Sequence, residues 1–251
     1  MMINTVLEEI YRTEKVLDPE GTPKDAFPVS LSRSDGEALY DVVTHTNGSR
    51  TLEVGLAYGI SALHILQALQ DNGGGAHTAV DPYQQKWWNG IGVLNVKRAG
   101  LQDIFRCFVE PSYMVLPRLL GDKERYDFIF IDGNHRFEFS LLDFFYTDRL
   151  LQTGGRIMLH DTWMPSIRKL FSFIDTNRRG CYRLDTRFCG GNRTGSDRWR
   201  AFAQALKASP LDIHAARLYA AHYFHNYIVL EKIQEHDPEK IDAEWNFYAA
   251  F

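Results

Sequence analysis

Two short stretches combine acid and imidazole groups at spacings that could do chemistry: Asp132 with His135, and His160 with Asp161. Each follows an apolar run, Phe128 to Ile131 in the first case and Ile157 to Leu159 in the second. The first run has no polar alternation, the mark of a central strand covered on both faces. In an open parallel sheet the carboxyl ends of the strands border the ligand crevice, so polar groups leaving two such ends are placed for chemistry. A lone histidine is more often a hydrogen-bonded, half-buried residue. Two of them at successive strand ends, each beside an aspartate, favour a site.

A third stretch, Thr51 to Leu66, reads as strand, glycine turn and helix. Leu52 and Val54 flank Glu53, the chain breaks at Gly55-Leu56-Ala57-Tyr58-Gly59, and a helical pattern begins at Ser61, which can cap it. Glycines at such a bend let the backbone take otherwise closed dihedrals and let a ligand approach without meeting a Cβ. The spacing Glu53-x-Gly55-x-x-x-Gly59 departs from the dinucleotide pattern G-x-G-x-x-G, and a carboxylate at the strand end repels a pyrophosphate and suits a cation. After Gly73-Gly74-Gly75 a second strand ends at Asp81-Pro82. An acid there can accept from both hydroxyls of an adenosine ribose, and an aspartate before proline is also a common turn residue. The adjacent indoles of Trp87 and Trp88 point in different directions, so one of them at most lines the same pocket.

These stretches must be held by an alternating α/β chain. The spacing predicts an amphipathic helix over 3–17, an irregular arm from Thr22 to Ser32, and a helix started by a capping box at Ser34 and Glu37 and ended by Asn47-Gly48. Further on it predicts a helix over 92–101, a strand over 104–109, helices from Met114 and Phe137, and a helix over 166–176. Cys181–Phe188 reads as an outer strand, 199–207 as a helix and 227–233 as the last strand.

Composition bounds the class. With 251 residues, 45% hydrophobic and 24% charged, the chain can bury a full core and reads as one structural unit, an N-terminal helical arm (1–45) on a single domain (46–251). A net charge of −4 offers no general attraction to nucleic acid or an anionic membrane. The first residues carry acids where a signal peptide needs an unbroken apolar run, and no run approaches a membrane span, so a cytoplasmic protein is expected. Cys107, Cys181 and Cys189 form no C-x-x-C pair, which indicates reduced thiols in place of a disulfide framework or structural zinc. Seven arginines between Arg178 and Arg200, Arg193 and Arg198 among them, make one basic segment with glycines at 190, 191 and 195. Its default is a solvated surface, ahead of an anionic-substrate contact and of nucleic acid.

The turn at Glu53-x-Gly55 resembles the first motif of the class I S-adenosylmethionine-dependent methyltransferases. The span from Ser34 to Thr162 resembles their small-molecule O-methyltransferase branch, which contains macrolide-sugar and cephalosporin-pathway enzymes with a D-G-x-H element, here Asp132-Gly133-Asn134-His135. The resemblance implies one Rossmann-like, doubly wound domain whose mostly parallel seven-stranded sheet ends in an antiparallel strand. It implies S-adenosylmethionine held by Glu53, Gly55, Tyr58, Gly59, Ser61, Asp81, Ser112 and Asp132, with Glu110 a weaker contact. It also implies His135 as general base beside Asp132, a divalent metal (Mg²⁺ or Mn²⁺) on Asp132, His160 and Asp161, a small hydroxylated acceptor, and a homodimer or higher homo-oligomer in which the arm covers cofactor or meets another subunit. His160 stands where those enzymes carry a second acid. Mg²⁺ prefers hard oxygen ligands and imidazole suits Mn²⁺, Fe²⁺ or Zn²⁺, so metal dependence is open at this point. The aromatic tail, Trp245, Phe247, Tyr248 and Phe251, reads as packing. The competing readings are a dehydrogenase-type nucleotide enzyme and an RNA-directed or non-catalytic member of the methyltransferase fold.

Overall fold

The computed structural model describes residues 4–188, 195–208, 212–222 and 225–236. Ile3, Cys189, Gly190, Gly191, Arg193 and the tail aromatics Trp245, Phe247, Tyr248 and Phe251 lie outside them.

The run Phe128–Ile131 is at most 3% exposed, as its unbroken apolarity requires, and lies in β6 (Tyr126–Ile131) at the middle of a seven-stranded sheet. The other strands are β3 (Arg50–Val54), β4 (Ala76–Val80), β5 (Phe105–Phe108), β7 (Leu151–His160), β8 (Tyr182–Leu184) and β9 (Tyr227–Lys232), in the order β5-β4-β3-β6-β7-β9-β8. The pairs β3–β4, β3–β6, β4–β5 and β6–β7 are parallel, whereas β9 runs antiparallel to both β7 and β8. From β3 the chain winds outward through β4 to β5 and returns on the other side to β6, so the order reverses between β3 and β6. The carboxyl ends of those two strands therefore border the crevice of a doubly wound sheet.

Helices α3 (Ile60–Asp71), α4 (Ile91–Arg98), α5 (Ser112–Gly121), α6 (Phe137–Leu150) and α7 (Pro165–Asn177) link the strands, and α8 (Gly195–Ala208) and α9 (Ile213–His222) precede β9. Helix α9 has no counterpart among the sequence expectations. No described helix is long and apolar enough to cross a membrane.

The N-terminal segment is more ordered than its prolines suggest. Helix α1 (Thr5–Thr13) ends short of the expected 3–17 helix and is followed by a hairpin of β1 (Lys15–Leu17), inside that span, and β2 (Pro23–Asp25), where an irregular arm was expected. Helix α2 (Arg33–Thr46) is capped by Ser32, two residues before the expected cap, because Ser32 accepts from the Asp35 amide. Leu7 and Ile10 of α1, and Leu39, Val42 and Val43 of α2, are fully buried in the same core as α3 and the sheet. A polar link fixes the segment further: the Tyr11 hydroxyl lies 3.1 Å from His64 Nε2 on α3. Burial holds that imidazole down to about 3, so it stays neutral.

Candidate functional site

The glycine turn leaves β3 at Gly55 and enters α3 at Gly59. A Cβ on Gly55 would lie 2.2 Å from the Asp132 carbonyl oxygen, and one on Gly59 2.8 Å from that of Gly92. Both residues also have positive φ. Their smallness is demanded first by backbone packed against the turn, before any ligand is considered. Between them Ala57 sits at φ 45°, a conformation costly for a residue with a Cβ. The Asp81 carboxylate holds it there, accepting from the amides of Leu56 (3.2 Å) and Ala57 (2.8 Å), while Gln84 donates to the Ala57 carbonyl.

Four of the expected ligand contacts, Asp81, Glu53, Ser112 and Glu110, have partners within the protein in this structure. Asp81 is 4% exposed and also accepts from the Tyr83 amide and the Gln84 side chain. Three of its four donors fall on Oδ2 and one on Oδ1, so Asp81 supports the turn chiefly through Oδ2. Glu53 is fully buried, with Ser61 donating to it at 2.7 Å and His77 Nε2 lying 3.1 Å away without an aligned hydrogen bond, so it lies beneath the turn and not on the crevice wall. Ser61, bound to Glu53, makes no capping bond to α3, whose N-cap is Gly59. Ser112 begins α5 beside Asp143 of α6 and does not line the cleft, and Glu110 pairs with Arg118 on the surface.

The cleft itself has a volume of about 440 Å³. Its floor is the turn (Gly55, Tyr58 and Ser61) with Asp132, Gly133, His135, His160 and Asp161 from the ends of β6 and β7, and its roof is 28–32 with Asp35. Trp88 lines it with its ring edge-on to Tyr58, while Trp87 is 58% exposed and stacked on Tyr83, so the two indoles diverge as expected.

All four strand-end residues named from the sequence meet here. His135 Nε2 lies 2.9 Å from Asp161 Oδ2 and 3.4 Å from Asp132 Oδ1, yet this buried nitrogen is aligned as a hydrogen bond with neither. His160 Nδ1 is 3.1 Å from Asp132 Oδ1, and its Nε2 is 3.2 Å from the Asn226 amide nitrogen and 3.6 Å from Asp35 Oδ2. Asp161 has φ 55°, which turns it out of the β7 line, and its Oδ1 accepts from Asn226 and from the Trp163 indole.

Burial works against charge on both rings, and the carboxylates outweigh it: Asp132 and Asp161 raise His135 to about 9, and Asp132, Asp35 and Asp161 raise His160 to about 10. Burial likewise pushes the three carboxyls up and is overcome by the imidazoles and by hydrogen bonds, which hold Asp35, Asp132 and Asp161 below the usual carboxylate range.

Asp132, His135 and Asp161 each offer a ligand atom within 4.8 Å of the others. Two ionised oxygens facing a buried nitrogen without an aligned partner fit a divalent cation. The convergent trio contains His135 where the sequence reading put His160, whose Nδ1 faces Asp132 and whose Nε2 is occupied by Asn226. A mixed oxygen and nitrogen donor set suits Mn²⁺, Fe²⁺ or Zn²⁺ as well as Mg²⁺. The cleft also fits a sulfonium-bearing cofactor, since three carboxylates line it and none of its described lining residues is lysine or arginine.

Three neighbours were not singled out from the sequence. Asp35 was hidden in a helix-start pattern, and Trp163 is one more aromatic just past a strand. Asn226 precedes β9 in sequence, and only the antiparallel register, Tyr227 opposite His160, brings it to the end of β7.

Residues 52–162 match the family model described as a methyltransferase domain. No curated protein matches the chain. Among solved structures it is similar to an O-methyltransferase from Bacillus cereus in complex with SAH, at 16% identity over 91% of this chain and 90% of that one, with a TM-score of 0.62. It is also similar to the O-methyltransferase TomG from Streptomyces achromogenes, involved in tomaymycin synthesis and in complex with SAM, at 13% identity over 92% and 90% with a TM-score of 0.62. The SAH-bound methyltransferase PaMTH1 of Podospora anserina aligns at 17% identity over 72% of this chain and 82% of its own, with a TM-score of 0.54. The chain thus has the fold of these solved methyltransferases, and residues 52–162 of it match the methyltransferase-domain model.

Proposed function

We propose that the protein is an S-adenosylmethionine-dependent methyltransferase that methylates a hydroxyl oxygen of a small molecule. One observation carries the reading: Asp132, His135 and Asp161 converge in the cleft that the glycine turn borders. Two of the similar structures are O-methyltransferases, one with SAH and one with SAM, which supports the choice of cofactor and of an oxygen acceptor.

The cofactor supplies a methyl group already activated on its sulfonium, so the chain's own tasks are to hold the acceptor in line and to take its proton. Positioning provides most of such a rate, and a well-placed base adds about 10²–10⁴-fold. Neutral His135 would accept the hydroxyl proton at Nε2, and Asp161 and Asp132 would then stabilise the imidazolium. A divalent cation would be held by Asp132 and Asp161 with His135 or His160, and would lower the pKa of the acceptor hydroxyl. Nε2 of His135 can ligate a cation or accept the proton, not both at once. Tyr58, Gly55 and Ser61 border the cofactor side of the cleft, while Asp81 acts on the cofactor through the turn it holds.

The experiment is a methyl-transfer screen over sugars, phenols and hydroxy acids, run with and without chelator. Chelator-sensitive transfer restored by Mn²⁺ or Mg²⁺ supports a bound cation, and chelator-insensitive transfer lost in His135→Ala supports the ring acting alone. Full transfer by His135→Ala in chelated protein contradicts both versions.

A further inference from the structure

Asp161 holds a backbone conformation that does not persist unaided. Its φ of 55° is uncommon for a residue with a Cβ and lasts only where the surroundings over-determine it. Two sets of groups do so here. Within the turn, the Met164 amide donates to the Asp161 carbonyl at 2.9 Å and the Trp163 indole donates to Oδ1 at 3.0 Å. From the entry of β9, the Asn226 and His225 carbonyls accept from the amide and hydroxyl of Thr162, and the Asn226 side chain donates to the same Oδ1 at 2.9 Å.

The two side-chain donors exceed what the fold requires. Strand β9 is already held by its register against Arg156 to His160 and by the Thr162 bonds, and Trp163 is 57% exposed, so its ring adds little burial. What they do is direct a carboxylate. A carboxylate oxygen has about two acceptor sites, so Asn226 and Trp163 fill Oδ1 and fix the plane of the group, with Oδ2 facing His135 Nε2 at 2.9 Å. Both donors are neutral, so they set its direction without cancelling its charge.

We propose that Asn226 and Trp163 are positioning residues for methyl transfer, which aim Asp161 Oδ2 at the ring that takes the acceptor's proton. This rests on the methyltransferase reading and deepens it. As the acceptor oxygen takes the methyl group from the sulfonium, its proton passes to His135 Nε2, and a carboxylate turned away leaves the new imidazolium uncompensated. The same oxygen is the one a divalent cation would use, so both versions of the chemistry depend on its direction. Asn226 and Trp163 act through Asp161 and lie outside the 52–162 match.

The test measures kcat and KM on an acceptor found in the methyl-transfer screen, for the wild type, Asn226→Ala, Asn226→Asp and Trp163→Phe, beside S-adenosylmethionine affinity, thermal melting and the indole N–H resonance of Trp163 in labelled protein. Asn226→Ala and Trp163→Phe should each lower kcat about tenfold, with cofactor affinity and KM kept within about twofold. Asn226→Asp, which sets an acidic oxygen against Oδ1, should lower kcat further than Asn226→Ala. The indole resonance should move upfield in Asp161→Ala, a readout that needs no turnover. Unchanged kcat in both Asn226→Ala and Trp163→Phe, a loss matched in cofactor affinity and melting temperature, or an indole resonance indifferent to Asp161→Ala would overturn the proposal. A wild type that neither binds S-adenosylmethionine nor transfers its methyl group overturns the reading beneath it, whereas unchanged variants of an active wild type overturn this proposal alone.

Discussion

His135 Nε2 lies 2.9 Å from Asp161 Oδ2, so a ring that leaves the end of β6 closes on a carboxylate that leaves the end of β7. The contact spans two neighbouring parallel strands, about 4.8 Å apart. It exists because Asp161 adopts φ 55° and swings its carboxylate back toward β6. Asp132 Oδ1 faces the same nitrogen at 3.4 Å, and the cluster favours a proton on His135.

That proton sets a pH dependence. His135 is raised to about 9, since Asp132 and Asp161 outweigh its burial, so the ring is charged at neutral pH and becomes a base only as pH rises. In chelated protein kcat/KM should climb through an apparent pKa near 9 and lose this limb in His135→Ala. A divalent cation on Asp132 and Asp161 would repel the proton and move the limb to lower pH. A pH-rate profile measured with and without Mn²⁺ checks both.

Asp81→Ala should weaken the turn and the cofactor site together. Removing the carboxylate leaves the Leu56 and Ala57 amides unpaired, which costs about 1–3 kcal/mol of stability. S-adenosylmethionine affinity should fall by a similar factor. A direct ribose contact alone would lower affinity at unchanged melting temperature, so melting curves beside titration calorimetry separate the two roles.

Asp143, 2% exposed on α6, is raised to about 6 by burial, partly offset by Ser112, and one of its oxygens has no hydrogen-bond partner. The native state therefore holds this proton more tightly than the unfolded chain, and stability falls as pH rises from about 4 through about 6. The full cost above that window is on the order of 3 kcal/mol. Asp143→Asn should raise the melting temperature most at pH 8 and about a third as much at pH 4.5, where only that share of the cost is present.

The convergence of Asp132, His135, His160 and Asp161 was legible because strand ends in a parallel sheet face one crevice, and an unbroken apolar run such as Phe128–Ile131 marks a central strand. The roles of Glu53 and Asp81 were not legible. An acid at a strand end looks the same whether its carboxylate turns outward to a ligand or inward to Ser61 and His77, or to the amides of Leu56 and Ala57; that depends on the fold of the turn. Asp35 and Asn226 join the site across 97 and 65 residues from Asp132 and Asp161, through the docking of α2 and the antiparallel entry of β9. Such contacts leave no local pattern. Proline spacing likewise suggested an irregular arm, although pairing with β1 makes β2 a strand.

The most direct test of the account is titration calorimetry of the purified protein with S-adenosylmethionine, S-adenosylhomocysteine and NAD. One-to-one binding of both S-adenosyl compounds, weakened in Asp81→Ala, with no measurable binding of NAD, is the predicted result. Binding of NAD in preference to S-adenosylmethionine, or no binding of either S-adenosyl compound by folded protein, would contradict it.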